Sequence, residues 1–492
     1  MAALLLIVCA SICVPAAGAL VADPDSWWVA AAGRQMLRSG QLPQQNMFSF
    51  VEPSRAWVMH EWLFAVPYAL GLEKLGPRFF SALGALSALA TCALILRATV
   101  LSSRYSLVGL AAAILALGIF CGHVGSSRPT SVALVFPLLM QRCLSARNFG
   151  QRHIAAVALL QLVWVNAHGS FPLGLMMLGA SWTFATEQRR LRGVAMVAAG
   201  LATLCTPYGI SLYRLVFDYA RGSAGATSVM QQFVYEFAPV WQHSFHVVVP
   251  WEALVGLAPL AWVALQALRR PEHRGQGALV CVLIVQGLLH ARHVRLAGTL
   301  AICMLLPVID ELFERSARGS QRFEIHRRPA VLAALLLSSI GALGCWLAWS
   351  SRRGDFEWVA PQSGGQSFKR LASMLPDGAH AYTLFQTSGE LIWLGYLRDV
   401  RVFYDSRNDC YSPAHQYRAF NLLNESSERI EDIFQQTNTN YALVPTAAYV
   451  AQSGEFNATW KKQGRVAEVL SASPAWKQVQ TDGGWALYQR TH

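Results

Sequence analysis

Ala2 through Val21 is an apolar run without a single charge, and it ends at Ala22-Asp23-Pro24-Asp25-Ser26-Trp27-Trp28. Roughly 20 apolar residues are what a helix needs to cross a bilayer. Pro has no N–H to donate into a continuing turn and two carboxylates require water, so the run stops at a membrane surface. Trp rings favour the headgroup layer, where an apolar body and a polar tip are both satisfied. Trp27 and Trp28 are therefore expected to hold Asp23 and Asp25 at the membrane face. Ala16, Ala17 and Ala19 resemble a cleavage region, but no Lys or Arg precedes the run, so a retained first span is expected.

Comparable runs recur along the chain. They are Phe79 to Leu96, Tyr105 to Cys121, Leu134 to Met140 with its flanks, Ile154 to Asn166, Phe171 to Ala185 and Gly193 to Thr206. Val249 to Leu268, Ala278 to Leu289, Leu296 to Ile309 and Val331 to Trp349 complete the series, which with the first run makes about eleven spans. The composition agrees: 54% hydrophobic, 14% charged and a mean hydropathy of +0.32 exclude an ordinary soluble protein of 492 residues. The expected fold is a polytopic α-helical membrane protein.

Arg residues fix the orientation. Arg97 and Arg104, then Arg142, Arg147 and Arg152, then Arg189, Arg190 and Arg192, then Arg269, Arg270 and Arg274, and finally Arg315 through Arg328 fall in alternate loops. Basic loops stay in the cytoplasm. The N-terminus is then cytoplasmic too, and the Asp23-Pro24-Asp25 loop, Arg128, Asn166 to Ser170, Pro207 to about Val248 and the tail after Trp349 lie outside. The net charge of +12 is largely this cytoplasmic excess. No basic stripe interleaved with aromatics occurs in a soluble segment, so nucleic acid is not an expected partner. Cys410 is the one cysteine in the outer tail, which leaves no disulfide pair there.

The tail changes character. Residues 351–492 carry charge, Gly, Pro and Asn at globular frequency, in contrast to the membrane part, 1–350, with its first outer loop at 22–78. Strands are expected at Ala381 to Phe385, Val400 to Tyr404, Tyr441 to Val444, Trp476 to Val479 and Trp485 to Gln489. Helices are expected at Ser367 to Ser373, Pro413 to Leu423, Ser427 to Gln435 and Ala458 to Val469, which together make a soluble α/β domain. In the first outer loop, Asp25 to Leu37 has helical spacing suited to lying on the membrane surface, and Glu61 to Leu72 is apolar but too short to span.

Ionisable groups at membrane depth are expensive, so their concentration on one side marks a functional site. Asp23, Asp25, His60, Glu61, His123, Arg128, Asn166, His168, His290, Arg292, His293 and Arg295 all fall at the outer ends of spans. Carboxylates there can take a proton from a hydroxyl, and guanidinium groups can grip phosphate through two N–H bonds. Asp23 and Asp25, two residues apart, also offer oxygen ligands to Mg²⁺ or Mn²⁺. The tail motif Asp405-Ser-Arg407-Asn-Asp409-Cys-Tyr411 follows an expected strand, where α/β sheets place ligands. A turn in which Asp405 caps a helix and Arg407 pairs with Asp409 is the structural alternative.

Asp23-Pro-Asp25-Ser-Trp27-Trp28, Leu42-Pro43, Phe48-Ser49-Phe50, Trp57 and His60-Glu61-Trp62 resemble the opening of a large family of multispan bacterial proteins. The likeness continues at Arg128-Pro129, Asn166-Ala-His168-Gly169-Ser-Phe171, Pro207-Tyr208-Gly209, Ala291-Arg292-His-Val-Arg295 and the tail motif. Val29 stands where members usually carry His, and Thr206 where they carry Asn. That family is related to the membrane-embedded GT-C glycosyltransferases, among them the protein O-mannosyltransferases and the aminoarabinose transferase of lipid A.

The resemblance implies transfer of a sugar from a polyprenyl-phosphate carrier to a lipid, glycan or protein acceptor at the outer face of a bacterial inner membrane. Asp23, Asp25, His60 and Glu61 would then be catalytic. Arg128, Asn166, His168, Arg292, Arg295, Asp405, Arg407 and Asp409 would bind substrate and phosphate. A transporter or flippase of a lipid-linked or anionic solute would instead need polar groups through the membrane depth, yet Leu110 to Ile119 and Val331 to Leu337 are apolar. A scaffold whose tail binds polysaccharide would leave the aspartates mutable.

Overall fold

Apolar runs wind into helices because a helix satisfies every backbone polar group without water. The computed structural model describes residues 24–104, 106–117, 127–221, 226–242, 251–318, 365–452 and 458–491. The runs Ala2 to Val21 and Val331 to Trp349, together with Asp23 and His123, lie outside the described residues. The N-terminal part comprises α1 (Pro24–Ser39), α2 (Trp62–Leu75), α3 (Arg78–Thr99), α4 (Ser106–Leu115), α5 (Pro129–Ala133), α6 (Val135–Leu144), α7 (Gln151–Ala167) and α8 (Pro172–Thr183). It continues with α9 (Arg189–Ala202), α10 (Ile210–Arg221), α11 (Ala226–Phe233), α12 (Trp251–Leu268), α13 (Arg274–Leu289) and α14 (Val294–Arg318).

Nine of the expected spans therefore coincide with described helices, but length separates them. Arg78–Thr99 and Ala291–Arg315 are long and apolar enough to cross a membrane. The other seven run from 10 to 18 residues. At about 1.5 Å per residue these fall short of a hydrocarbon core of about 30 Å. Among the described residues, two of the nine helices are thus long and apolar enough to cross a membrane, and seven are shorter. Their outward faces remain apolar: Leu86 and Leu89 on α3, Leu159 on α7, Val197 and Leu201 on α9, Trp262 on α12 and Val285 on α13 are all exposed. Such a belt suits lipid and is a liability in water.

The basic loops gather at one end of the bundle. There Ser103 donates to Asp310 at 2.6 Å, His273 meets Glu311 at 3.0 Å, and the Gln188 side chain accepts the Phe149 N–H at 2.9 Å. The other end carries the first loop, Arg128, the turn at His168, residues 207–221 and 226–242, the turn at Arg292 and the tail.

α1 does not lie on a lipid surface. Trp27 and Trp28 are only 2% and 6% exposed, and the next four residues are completely buried. Trp27 packs edge-on against Phe80, and Trp28 against Trp57. The small-residue stripe Ala30-Ala31-Ala32-Gly33 lets α2 press close, so close that a Cβ on Gly33 would sit 1.8 Å from the Ala65 carbonyl oxygen.

The tail is α/β as expected. Its sheet has the order β2-β1-β3-β5-β4, with β1 (His380–Tyr382), β2 (Arg401–Val402), β3 (Tyr441–Pro445), β4 (Trp476–Asp482) and β5 (Trp485–Arg490). β1 runs parallel to β2 and β3, while β5 is antiparallel to β3 and β4. Helices α15 (Gly365–Ser373), α16 (Phe385–Gly395), α17 (Pro413–Asn421), α18 (Ser427–Gln436), α19 (Ala447–Gln452) and α20 (Ala458–Ala472) accompany it. The first loop joins this sheet: Ser49 bridges Val402 in parallel, and the Val402 N–H donates to Phe48 O at 2.9 Å. Phe48, Trp57, Met59 and α1 share one hydrophobic core with the tail.

Candidate active site

A cavity of about 1150 Å³ lies where these segments meet. Its polar part is set by chain ends. Glu61 sits at the N-terminus of α2, Arg128 directly precedes the Pro129 that opens α5, and Arg292 lies in a short 3-10 turn between α13 and α14. His168 ends α7 in extended backbone, a turn fixed by the Ser170 N–H donating to His168 Nδ1 at 3.1 Å.

Two guanidinium groups and two carboxylates form a ladder. Arg128 Nε donates to Asp25 Oδ2 at 3.0 Å, and Arg128 Nη1 to Glu236 Oε2 at 3.2 Å. Arg292 Nη1 stands 3.4 Å from Glu236 Oε1, with its guanidinium 4.5 Å above the Phe237 ring. Burial alone would raise the Glu236 carboxyl, but Arg128 and Arg292 outweigh it and hold it down at about 2.

Beside the ladder the electrostatics reverse. Glu61 is pushed up to about 8, first by burial and then by the Asp25 charge, against the pull of Arg128 and Arg292. It therefore carries its proton at neutral pH. His168 Nε2 stands 3.4 Å from Glu61 Oε1, and His60 Nε2 3.7 Å from the same oxygen. Because His168 Nδ1 accepts the Ser170 N–H, its single proton sits on Nε2, facing Glu61. Burial holds His168 well below its usual range. His60 and Asp409 are likewise driven toward their neutral forms, His60 downward and Asp409 upward, both chiefly by burial.

The cavity thus collects Asp25, His60, Glu61, Arg128, His168, Arg292, Arg407 and Asp409 from the expected set. Asn166 and Arg295 are not among its lining residues. Asn166 instead accepts the Trp62 indole N–H at 2.9 Å and donates to Cys205 O at 3.0 Å, a bracket between α2 and α7. Asp405 and Arg407 form a fully buried pair, with Arg407 Nη2 donating to Asp405 Oδ2 at 2.7 Å and to Asn46 Oδ1 at 2.9 Å. Tyr411 adds its hydroxyl to Asp405 Oδ2 at 2.7 Å. Arg407 thus pairs with Asp405, and the pair ties the tail to the first loop. Glu236 escaped sequence reading because it sits in a long connecting segment with no apolar run to mark it. Its one signal was an acidic residue between two aromatics, Tyr235 and Phe237.

Apolar residues form the other wall. Leu173 and Met176 of α8, Leu215 and Tyr219 of α10, and Val282 and Leu289 of α13 line it from the helical bundle. Phe233, Phe385 and Phe420 stand on the tail side, the rings of Phe233 and Phe420 stacking at 5.4 Å.

No family model matches the sequence, and no curated protein matches it either. Solved structures match the fold. The archaeal oligosaccharyltransferase AglB from Archaeoglobus fulgidus, in complex with an inhibitory peptide and a dolichol-phosphate, superposes with a TM-score of 0.54 at 12% identity, covering 96% of this chain and 71% of that one. ArnT from Cupriavidus metallidurans, bound to undecaprenyl phosphate, superposes with a TM-score of 0.53 at 11% identity, covering 98% and 97%. The chain shares the overall fold of these two structures over nearly its whole length.

The Archaeoglobus fulgidus oligosaccharyltransferase is also known in complex with zinc and sulfate. In this chain Asp25 Oδ1 accepts the Trp28 indole N–H and Oδ2 accepts from Arg128, so both oxygens are committed to cationic or N–H donors. Asp23, the other half of the Mg²⁺ or Mn²⁺ pair expected from the sequence, lies outside the described residues. Among the described residues, Glu272, His273 and Glu311 bring ligand atoms within 4.8 Å of one another. That group lies at the opposite end of the bundle, where Arg270 already holds Glu311.

Proposed function

We propose that the protein is a glycosyltransferase that moves a sugar from a polyprenyl-phosphate carrier to a lipid, glycan or protein acceptor at the extracytoplasmic face of a bacterial inner membrane. The observation that carries this reading is the Asp25–Arg128–Glu236–Arg292 ladder, set in a cavity whose wall from α8, α10 and α13 is largely apolar. A polyprenyl chain matches the wall made by α8, α10 and α13, and its phosphate matches Arg128 and Arg292. The GT-C fold supports the class.

Asp25 takes the proton of the acceptor hydroxyl as that oxygen attacks the anomeric carbon. The bond from that carbon to the phosphate oxygen breaks, and the lipid phosphate leaves with the electron pair. Inversion at the anomeric carbon follows from the single displacement. Arg128 and Arg292 meet the developing phosphate charge, so the leaving group needs no proton, an electrostatic contribution of several kcal/mol in sites of this kind. Glu61, protonated and faced by His60 and His168, keeps a further negative charge out of the donor's path. Asp409, from the tail, faces the acceptor.

The test is reconstitution in proteoliposomes with a radiolabelled undecaprenyl-phosphate sugar and membrane-lipid and glycan acceptors. Label should move to an acceptor and be displaced by undecaprenyl phosphate. Label that crosses the bilayer while still attached to its carrier would make the protein a transporter.

A further inference from the structure

The indole N–H of Trp28 is shared between two acceptors from distant parts of the chain, Asp25 Oδ1 at 3.2 Å and Ser406 Oγ at 3.0 Å. Ser406 belongs to the C-terminal domain, so one hydrogen atom links that domain to the first-loop carboxylate. We propose that Trp28 and Ser406 are positioning residues for Asp25, and that the C-terminal domain thereby completes the catalytic site instead of merely standing beside it. The inference deepens the proposed transfer and rests on it for the role of Asp25.

The indole has little freedom to do anything else. Its ring packs edge-on against Trp57 at 5.9 Å, and the Arg407 guanidinium stands 4.5 Å from the Trp57 ring centre. Arg407 is itself fixed by Asp405 and by Asn46 of the first loop. Docking of the tail therefore sets the ring plane, and the ring plane sets where the N–H points. An N–H divided between two oxygens bonds each more weakly than one given to a single oxygen. Ser406 draws part of that donor away and leaves Asp25 less tightly bound than a private indole bond would.

The two partners then act with opposite sign. Removing the indole N–H takes one donor away from Asp25 Oδ1, whereas removing the Ser406 hydroxyl hands Asp25 the whole indole donor. Loosening of the fold would push both the same way.

The experiment uses the full-length protein and follows modification of Asp25 by a water-soluble carbodiimide with glycine methyl ester, read by peptide mass spectrometry. Labelling should be faster than parent in Trp28→Phe and slower in Ser406→Ala, with Ser406→Thr restoring the parent rate. In the transfer assay both variants should lose kcat about tenfold, the scale of one misplaced hydrogen bond at a reacting group, with the donor KM within about twofold. The melting temperature of Ser406→Ala should match the parent. Labelling that moves in the same direction in both variants, or in neither, overturns the proposal. Parent protein that labels as expected but makes no product would overturn the transferase reading and leave the Trp28 linkage standing.

Discussion

Arg128 Nε lies 3.0 Å from Asp25 Oδ2, an ion pair that joins α1 to the start of α5 across 103 residues of chain. The same guanidinium also reaches Glu236, so Arg128 meets two carboxylates and must share itself with any phosphate that enters.

That sharing gives Arg128 a predictable signature. Arg128→Ala should lower kcat/KM about 100-fold, mostly through kcat, because the guanidinium matters most when phosphate charge develops. Arg128→Lys keeps the charge but loses the two-pronged grip, and should recover only part of the loss. Steady-state kinetics against donor concentration check this.

Glu61 supplies the pH dependence. With its carboxyl at about 8, it is neutral below that pH and negative above it. An ionised Glu61 would repel an anionic donor, so kcat/KM should fall as pH rises through about 8, and Glu61→Gln should remove that limb. Stability has the same sign: a carboxyl raised from 4.5 to about 8 favours the fold fully below the unfolded value, and the advantage is lost as pH rises through the folded one. Thermal melts of parent and Glu61→Gln between pH 5 and 9 should therefore diverge upward, the variant being the more stable above about pH 8.

Glu236 behaves oppositely. Its carboxyl is held near 2, so the stability it brings is present above 4.5 and lost as pH falls toward 2. Glu236→Gln should cost up to about 3 kcal/mol at pH 7, and the gap to the parent should narrow below about pH 4. Chemical denaturation in detergent at pH 7 and pH 3.5 measures the difference.

Arg407→Ala should be a folding variant. It leaves Asp405 buried without its cation, a loss of about 3 to 5 kcal/mol for a pair of this kind. Melting should drop sharply while the folded fraction keeps its donor KM. A normal melt with a raised KM would place Arg407 on the substrate.

How much of this was legible in the sequence differs by element. All five tail strands were, since Val400 to Tyr404 and Tyr441 to Val444 are short apolar runs bounded by turn residues. Helix Phe385–Gly395 was missed, its start having been read as the end of a strand. The site's one-sidedness was legible as well, because charges are costly at membrane depth and Asp25, Arg128 and Arg292 had to share a face. Trp27 and Trp28 misled. Headgroup preference describes a Trp with no protein over it, and here the tail and α2 cover α1. Pairings such as Arg128 with Glu236, or Trp28 with Ser406, depend on three-dimensional proximity that no local pattern encodes.

The most direct measurement of the central claim is product formation by purified Asp25→Asn beside the parent. Asn keeps the size of the side chain and can still accept the Trp28 N–H, while Arg128 retains Glu236 as a partner, so the variant should fold and melt like the parent. Loss of the proton acceptor should reduce transfer by at least about 1000-fold, taking general-base catalysis and alignment together. Product formed by Asp25→Asn at a rate comparable to the parent would contradict the account.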